Sequence, residues 1–216
     1  MLGPVVVIET SGFQGQVGLM VEGAMVARLS LDSERRHARD LAAKVGQILQ
    51  GHGYKPADTK GVIVARGPGS FTGLRVGLAT AMALAYATGA KIVGVGSLHG
   101  IAEQADLPGG VATVAADALR GGSYVQTFMK GERGWAPSDE LKVVPLISTP
   151  HPVVAMSARW PGCPANALVA EPALDGIGAI GLRRLAAHES DEPHLLEPLY
   201  VQPSSAERQW ANLGRS

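Results

Sequence analysis

Arg66-Gly67-Pro68-Gly69-Ser70-Phe71-Thr72-Gly73-Leu74-Arg75-Val76-Gly77 follows directly on the apolar run Val62-Ile63-Val64-Ala65. The β-branched run predicts a strand, and the Ala/Gly/Leu-rich stretch 71–88 predicts a long helix. Between them Pro68 fixes one backbone torsion, while Gly67 and Gly69 admit torsions that a Cβ would forbid. Ser70 stands where an N-cap belongs. The product is a strand–turn–helix corner with backbone amides aimed out of it. Such a corner suits an anion, or the close approach of another surface to the backbone.

Outward from this corner, residues 4–8 read as a buried strand that ends in the polar turn Thr10-Ser11-Gly12. Residues 16–21 and 24–31 read as two more strands around the hairpin turn Glu22-Gly23. Over 34–50 the period changes: Ala38, Leu41, Ala42, Val45, Ile48 and Leu49 fall on one helical face, with Asp32 or Ser33 as cap and Gly51-His52-Gly53 as stop. Residues 61–65 and 91–95 are strands, and Ser97 caps a third helix to about residue 105. The order β-β-β-α-β-α-β-α implies parallel neighbours joined by helical crossovers, added to an antiparallel hairpin. Asp106-Leu107-Pro108-Gly109-Gly110 marks a boundary between lobes 1–106 and 107–216. Beyond it, 111–116 and 123–129 form strand, Gly turn, strand, an echo of the opening. The proline-rich stretch 135–170 reads as irregular, with short strands near 142–144 and 153–155. A helix over 177–187 and a last strand over 198–201 complete the expectation.

Lys+Arg and Asp+Glu number 19 each in 216 residues, and charged residues make up only 18%, below the usual share of about a quarter. The single dense basic cluster, Arg35-Arg36-His37-Ala38-Arg39, is flanked by Glu34 and Asp40 and reads as a solvated helix start. A neutral chain of this kind is a poor nucleic-acid binder by itself. One cysteine, Cys163, excludes a disulfide framework and a cysteine metal site. The N-terminus has no basic n-region, and the apolar stretch 76–87 is shorter than the ~20 residues a bilayer demands. A soluble, cytoplasmic protein is expected.

Little in the spacing asks for catalysis. The six histidines show no His-Glu-x-x-His run, so no metal site is expected. The Gly67–Gly73 loop lacks the Lys-Ser/Thr of a P-loop, no Gly-x-Gly-x-x-Gly follows Ile8, and Ser70 is one position away from a nucleophile elbow. Thr10-Ser11-Gly12 and the segment Asp117 to Gly122 occupy matching places in the two lobes. Either they face one nucleotide cleft built from Glu9, Thr10, Ser11, Asp117 and Gly121, with Glu9 and Asp117 holding a metal through water, or they are hairpin entrances inherited from a duplicated fold. The first alternative would make the chain an ATP-dependent kinase or hydrolase. A metallopeptidase-like protein is disfavoured by the missing histidine pair.

Helix 71–88 is apolar or small nearly all round, so it is covered on more than one side. Gly73, Gly77, Thr80, Ala81 and Leu84 form a small-residue face that predicts a protein–protein interface. A bulky charge at Gly77 or Ala81 is expected to abolish association and leave the monomer folded.

Gly67 through Gly77, followed by Gly94-Val95-Gly96-Ser97-Leu98, resembles the bacterial TsaB (YeaZ) family. Ile8-Glu9-Thr10-Ser11, Arg36-His37, Asp117-Ala118-Leu119-Arg120-Gly121-Gly122-Ser123-Tyr124 and Glu197-Pro198-Leu199-Tyr200-Val201 extend the match, which is close over 5–105 and fragmentary beyond. The resemblance implies an α/β, actin/hexokinase/Hsp70-like two-lobed fold of mixed sheets flanked by helices, with a reduced second lobe. It implies a role in adding the threonylcarbamoyl group to the adenosine beside the tRNA anticodon, as a non-catalytic scaffold. The partners would be a catalytic TsaD-type paralogue and a TsaE-type ATPase, with a homodimer when the partner is absent and tRNA met only through the complex. On this reading Leu41, Leu74, Gly77, Leu78, Ala81 and Met82 form the apolar core of the partner surface, Arg36 and His37 form its polar rim, and no catalytic residue or cofactor is expected. Glu9 replaces the family's aspartate and Leu119 its arginine. Both departures lie beside the cleft and weigh against a nucleotide there, as at the subunit interface.

Overall fold

A computed structural model describes residues 3–31, 40–105, 107, 109–118, 121–199 and 201. The first sheet contains β1 (Val5–Glu9), β2 (Gln16–Val21), β3 (Ala24–Ser30), β4 (Gly61–Ala65) and β5 (Lys91–Val95), in the order β3-β2-β1-β4-β5. Its hairpin strands are antiparallel, whereas β1, β4 and β5 run parallel, with Val6 opposite Val62 and Val62 opposite Ile92. Every residue of β1 and β4 is buried. That is why both read as continuous apolar runs: helices cover both faces. Edge strand β3 has one wet face and alternates accordingly.

The second sheet contains β6 (Val111–Asp117), β7 (Ser123–Gly131), β8 (Gly134–Pro137), β9 (Lys142–Val144), β10 (Val153–Met156) and β11 (Leu168–Ala170), with β9 beside β7. Read from the hairpin side its order is β8-β7-β6-β10-β11, again two antiparallel pairings followed by two parallel ones. One topology, used twice, is the duplicated actin/hexokinase/Hsp70-like arrangement. The second copy is reduced: where the first sheet has helical crossovers, 145–152 and 157–167 are loops.

Four helices complete the fold: α1 (Leu41–Gln50), α2 (Phe71–Thr88), α3 (Ser97–Gln104) and α4 (Leu174–Ala186). Among the described residues no helix is long and apolar enough to cross a membrane. Helices α1 and α2 cover one face of the first sheet through Leu41, Val45, Leu49, Leu78 and Ala81. Its other face is covered by α4, whose Leu174, Ile177, Ile180 and Leu185 pack on Val5, Val7, Ile63 and Val93. Helix α3 packs instead on the second sheet, placing Leu98, Ile101 and Ala102 against Val114, Phe128 and Val154. The strands thus divide as β1–β5 and β6–β11, while the helices are exchanged. The exchange requires α3 and α4 to meet closely, and a Cβ on Gly176 would stand 2.0 Å from the Gly100 carbonyl oxygen. Glu103 ties the joint, accepting from Arg183 Nη1 at 2.7 Å and from the Trp135 N–H at 3.0 Å.

Of the strand expected over 198–201, residue 200 lies outside the described residues, and 198, 199 and 201 are not in a strand. Leu199 donates one bond to the Arg66 carbonyl, and Pro198 has no N–H for a ladder. Residues 191–199 instead run as a strap beside β5. Asp191 bridges to Ile92, accepts the Gly94 N–H at 2.7 Å and takes Arg184 Nη2 at 2.9 Å; Leu196 is buried in the α1/α2 core. Burial opposes ionisation of Asp191, but the bonds from Arg184 and Gly94 outweigh it and hold the carboxyl below its ordinary value. Asp191→Ala leaves the Gly94 N–H without its acceptor and Arg184 with only the Gly94 carbonyl and Glu189. A loss of about 1–3 kcal/mol is expected, read as a lower urea midpoint with an unchanged slope.

Candidate functional site at the glycine-rich corner

The sequence places Ser70 as the cap of α2, and its Oγ accepts the Gly73 N–H at 3.2 Å. Several of the corner's amides are bonded within the chain. Ser70 N–H donates to the Ser11 carbonyl at 2.8 Å, Arg66 N–H to Val95 at 2.8 Å, and Ser97 N–H to Gly67 at 2.7 Å. Ser97 is the first residue of α3 rather than its cap, because its Oγ accepts the Gly67 N–H at 3.2 Å. Gly67 has φ +104°, a conformation reserved for glycine, and precedes a cis peptide to Pro68. The amides of Arg66, Gly67, Ser70 and Gly73 are thus engaged within the chain. The surface that approaches the corner is the chain's own 9–12 turn. A Cβ would stand 2.4 Å from the Ser11 oxygen at Gly69, 2.2 Å from the Thr10 oxygen at Gly73, and 2.2 Å from Thr10 Oγ1 at Gly77.

That turn seals what it carries. Glu9, Thr10 and Ser11 have relative exposures of 1%, 0% and 2%. Glu9 Oε1 accepts the Ser11 N–H at 2.6 Å, whereas Oε2 and Thr10 Oγ1 have no partner of hydrogen-bonding geometry among the described residues. Burial pushes the Glu9 carboxyl up to about 7, against a smaller downward pull from the Ser11 hydroxyl and N–H. Of the residues expected in a nucleotide cleft, these three lie together, buried beneath α2. Asp117 and Gly121, the latter with φ +84°, are exposed at the far end of β6 and its turn. The hairpin-entrance alternative describes both places better. Among the described residues no group of three or more His, Cys, Asp or Glu side chains is arranged to hold a metal.

The partner-surface expectation needs correction. Leu41, Leu78 and Ala81 are buried against the first sheet, Leu74 is buried beside Gly67, and Gly77 receives Thr10. Met82 is half-buried on the same core; Arg36 and His37 lie outside the described residues. A helix apolar all round carries no periodic signal that separates its inner from its outer face. A bulky charge at Gly77 or Ala81 would strike the core and unfold the monomer rather than spare it. The outward stripe of α2 is Phe71, Arg75, Ala79, Ala83 and Tyr86, with the Arg75 guanidinium 4.0 Å above the Phe71 ring and Tyr86 89% exposed. Between α1 and α2 lies a groove of about 420 Å³, lined chiefly by Ala42, Val45, Gly46, Ala79, Thr80 and Ala83. The sequence signal for it was Gly46, a mid-helix glycine with nothing within 4 Å of its Cβ position.

Comparison with known proteins places this geometry. The family model of TsaD, tRNA N6-adenosine threonylcarbamoyltransferase, matches residues 31–135. An uncharacterized protein of Mycobacterium tuberculosis is 32% identical over 199 residues, covering 91% of this chain and 88% of that protein. The tRNA threonylcarbamoyladenosine biosynthesis protein TsaB of Escherichia coli is 30% identical over 142 residues, 65% of this chain and 61% of that protein. Its namesake from Bacillus subtilis is 29% identical over 124 residues, 57% and 54% of the two chains. The solved structure of YeaZ from Pseudomonas aeruginosa superposes with a TM-score of 0.79 at 20% identity, over 92% of this chain and 99% of that one, and so shares the fold. The Gly-Pro-Gly-Ser corner and the duplicated sheets thus stand in a chain that is similar to the TsaB proteins of tRNA threonylcarbamoyladenosine biosynthesis and shares the YeaZ fold.

Proposed function

We propose that this chain is the non-catalytic scaffold subunit of the assembly that adds the threonylcarbamoyl group to the tRNA adenosine beside the anticodon. It would hold a TsaD-type catalytic subunit on the outer face of α1 and α2. The observation that carries this reading is the small-residue groove between those helices, beside the outward stripe of α2 on which Phe71 and Tyr86 are exposed. Ala and Gly at its floor allow a facing helix to approach closely, and exposed aromatic residues are enriched at interfaces. A TsaD-type occupant is favoured because the TsaD family model matches the stretch 31–135, which contains both helices. A paralogue with the same helix pair can pack against this one nearly as a second copy would, giving a quasi-twofold four-helix layer. The same argument supports a homodimer when the partner is absent. A TsaE-type ATPase and tRNA would join through the complex, in the cytoplasm, with no cofactor held by this chain. Sealing of Glu9 deprives the kinase or hydrolase reading of its metal-holding carboxylate.

Ala79→Arg and Ala83→Arg place a charge in the groove without touching the core. Each is expected to weaken association with the TsaD-type subunit by at least about 30-fold, measured by titration calorimetry, with an unchanged melting temperature. In cells depleted of this chain, mass spectrometry of tRNA nucleosides should show threonylcarbamoyladenosine lost, restored by the wild type and not by either variant. A modification level indifferent to depletion would overturn the pathway; full rescue by both variants would overturn the surface.

A further inference from the structure

The outer face of the second sheet carries a concavity of about 440 Å³, within the ~300–1,000 Å³ range of small-molecule sites. Thr113 of β6 and Thr127 of β7 sit opposite each other in register on its floor. Loop 145–151 forms the wall and is fastened to that floor, because Thr149 Oγ1 lies 3.0 Å from Thr113 Oγ1 and accepts the His151 N–H at 3.2 Å. The site is thus preorganised rather than a gap beneath an unanchored loop.

Its lining has a chemical bias. Lys142 and His151 supply an ammonium and an imidazole, Ser148 a hydroxyl, and no carboxylate takes part. Asp139 stands just outside. Its Oδ2 lies 3.2 Å from Lys142 Nζ and its Oδ1 accepts the Thr127 N–H at 2.6 Å, so it steadies the lysine at the rim. Val125, Val144 and Ile147 make the remaining wall apolar. Cationic and hydroxyl donors at one side of an apolar recess fit a ligand with an oxyanion head and a compact body.

We propose that this cavity binds a small organic anion, a carboxylate or phosphate monoester with an apolar body. The site is separate from the α1–α2 groove and stands whether or not that groove holds a partner. Lys142 is more than half exposed, so solvent screens its contribution and a dissociation constant no tighter than the micromolar range is expected.

The test is titration calorimetry of the full chain with benzoate and phenyl phosphate, and with benzamide as the uncharged control. At least one anion is expected to bind with a Kd below about 1 mM, benzamide at least about tenfold more weakly, and Lys142→Ala or His151→Ala to weaken the anion about tenfold. Lys130→Ala, on the β7–β8 hairpin, should change nothing. Preference for benzoate identifies a carboxylate ligand, and preference for phenyl phosphate a phosphate ester. Silence from both anions to 10 mM, equal binding of benzamide, or undiminished binding by both lysine and histidine variants with wild-type melting would each overturn the proposal.

Discussion

Gly73→Ala is expected to destabilise the protein by about 2 kcal/mol, although helix propensity by itself favours alanine there by about 1 kcal/mol. Gly73 is the third residue of α2. Its Cβ would stand 2.2 Å from the Thr10 carbonyl oxygen, with Ser70 Oγ at 3.1 Å on the cap side. The obstacle at Thr10 is backbone, held between β1 and the Ser11–Ser70 bond, so it has no rotamer by which to yield. The start of α2 must move, and with it the docking of the 9–12 turn. Gly46→Ala is the internal control. That glycine also lies within a helix, nothing approaches its Cβ position within 4 Å, and a gain of about 0.5–1 kcal/mol is expected. Urea denaturation at 25 °C gives both values. Opposite signs for one substitution in two helices would separate close packing from propensity. A Gly73→Ala chain as stable as wild type would mean that α2 does not rest on the turn as described.

The second large effect is a pH dependence carried by Glu9. Its carboxyl, at an ordinary 4.5 in the unfolded chain, is raised to about 7 in the folded one. Folding therefore favours the protonated form. The associated stability is fully present below about pH 4.5 and is lost as pH rises through about 7, with little further change above that. A shift of this size corresponds to about 3 kcal/mol across the window. Glu9→Gln keeps an oxygen to accept the Ser11 N–H and has no charge to bury. Between pH 5 and pH 7.5 the wild type should accordingly lose about 2.4 kcal/mol of unfolding free energy more than the variant. Parallel pH profiles for the two chains would show that Glu9 is solvated by some rearrangement of the turn.

Most strands of the first lobe were legible because each is a short apolar run closed by Gly or polar residues, and α2 because Ser70 and Gly89 bracket it. The corner's glycines were rightly read as admitting a close neighbour. The identity of that neighbour was not legible, since nothing in the local sequence says that Thr10 and Ser11, some sixty positions earlier, fold beneath Gly69 and Gly73. The outward face of α2 was not legible for a different reason: an alanine faces the sheet at position 81 and solvent at positions 79 and 83, and composition does not distinguish them. The strap at 191–199 was missed because its anchor is a single side chain, Asp191, rather than a periodic pattern. Strands β9 and β10 were found within the proline-rich stretch, but β11 was not: three residues, mostly exposed, carry almost no alternation.

The exchange of α3 and α4 has a consequence for how such a chain can be taken apart. Two copies of one topology suggest two portable modules, yet a cut in the 106–110 link would strip the first sheet of Leu174, Ile177 and Ile180 and the second of Leu98 and Ile101. Each fragment would retain a helix cut to fit the other and bare the face its own sheet needs covered. The halves are dovetailed, so neither is a heritable unit. Gene fission here would yield two insoluble products, rescued only by co-expression, and any opening of the lobes like jaws must first part Gly100 from Gly176.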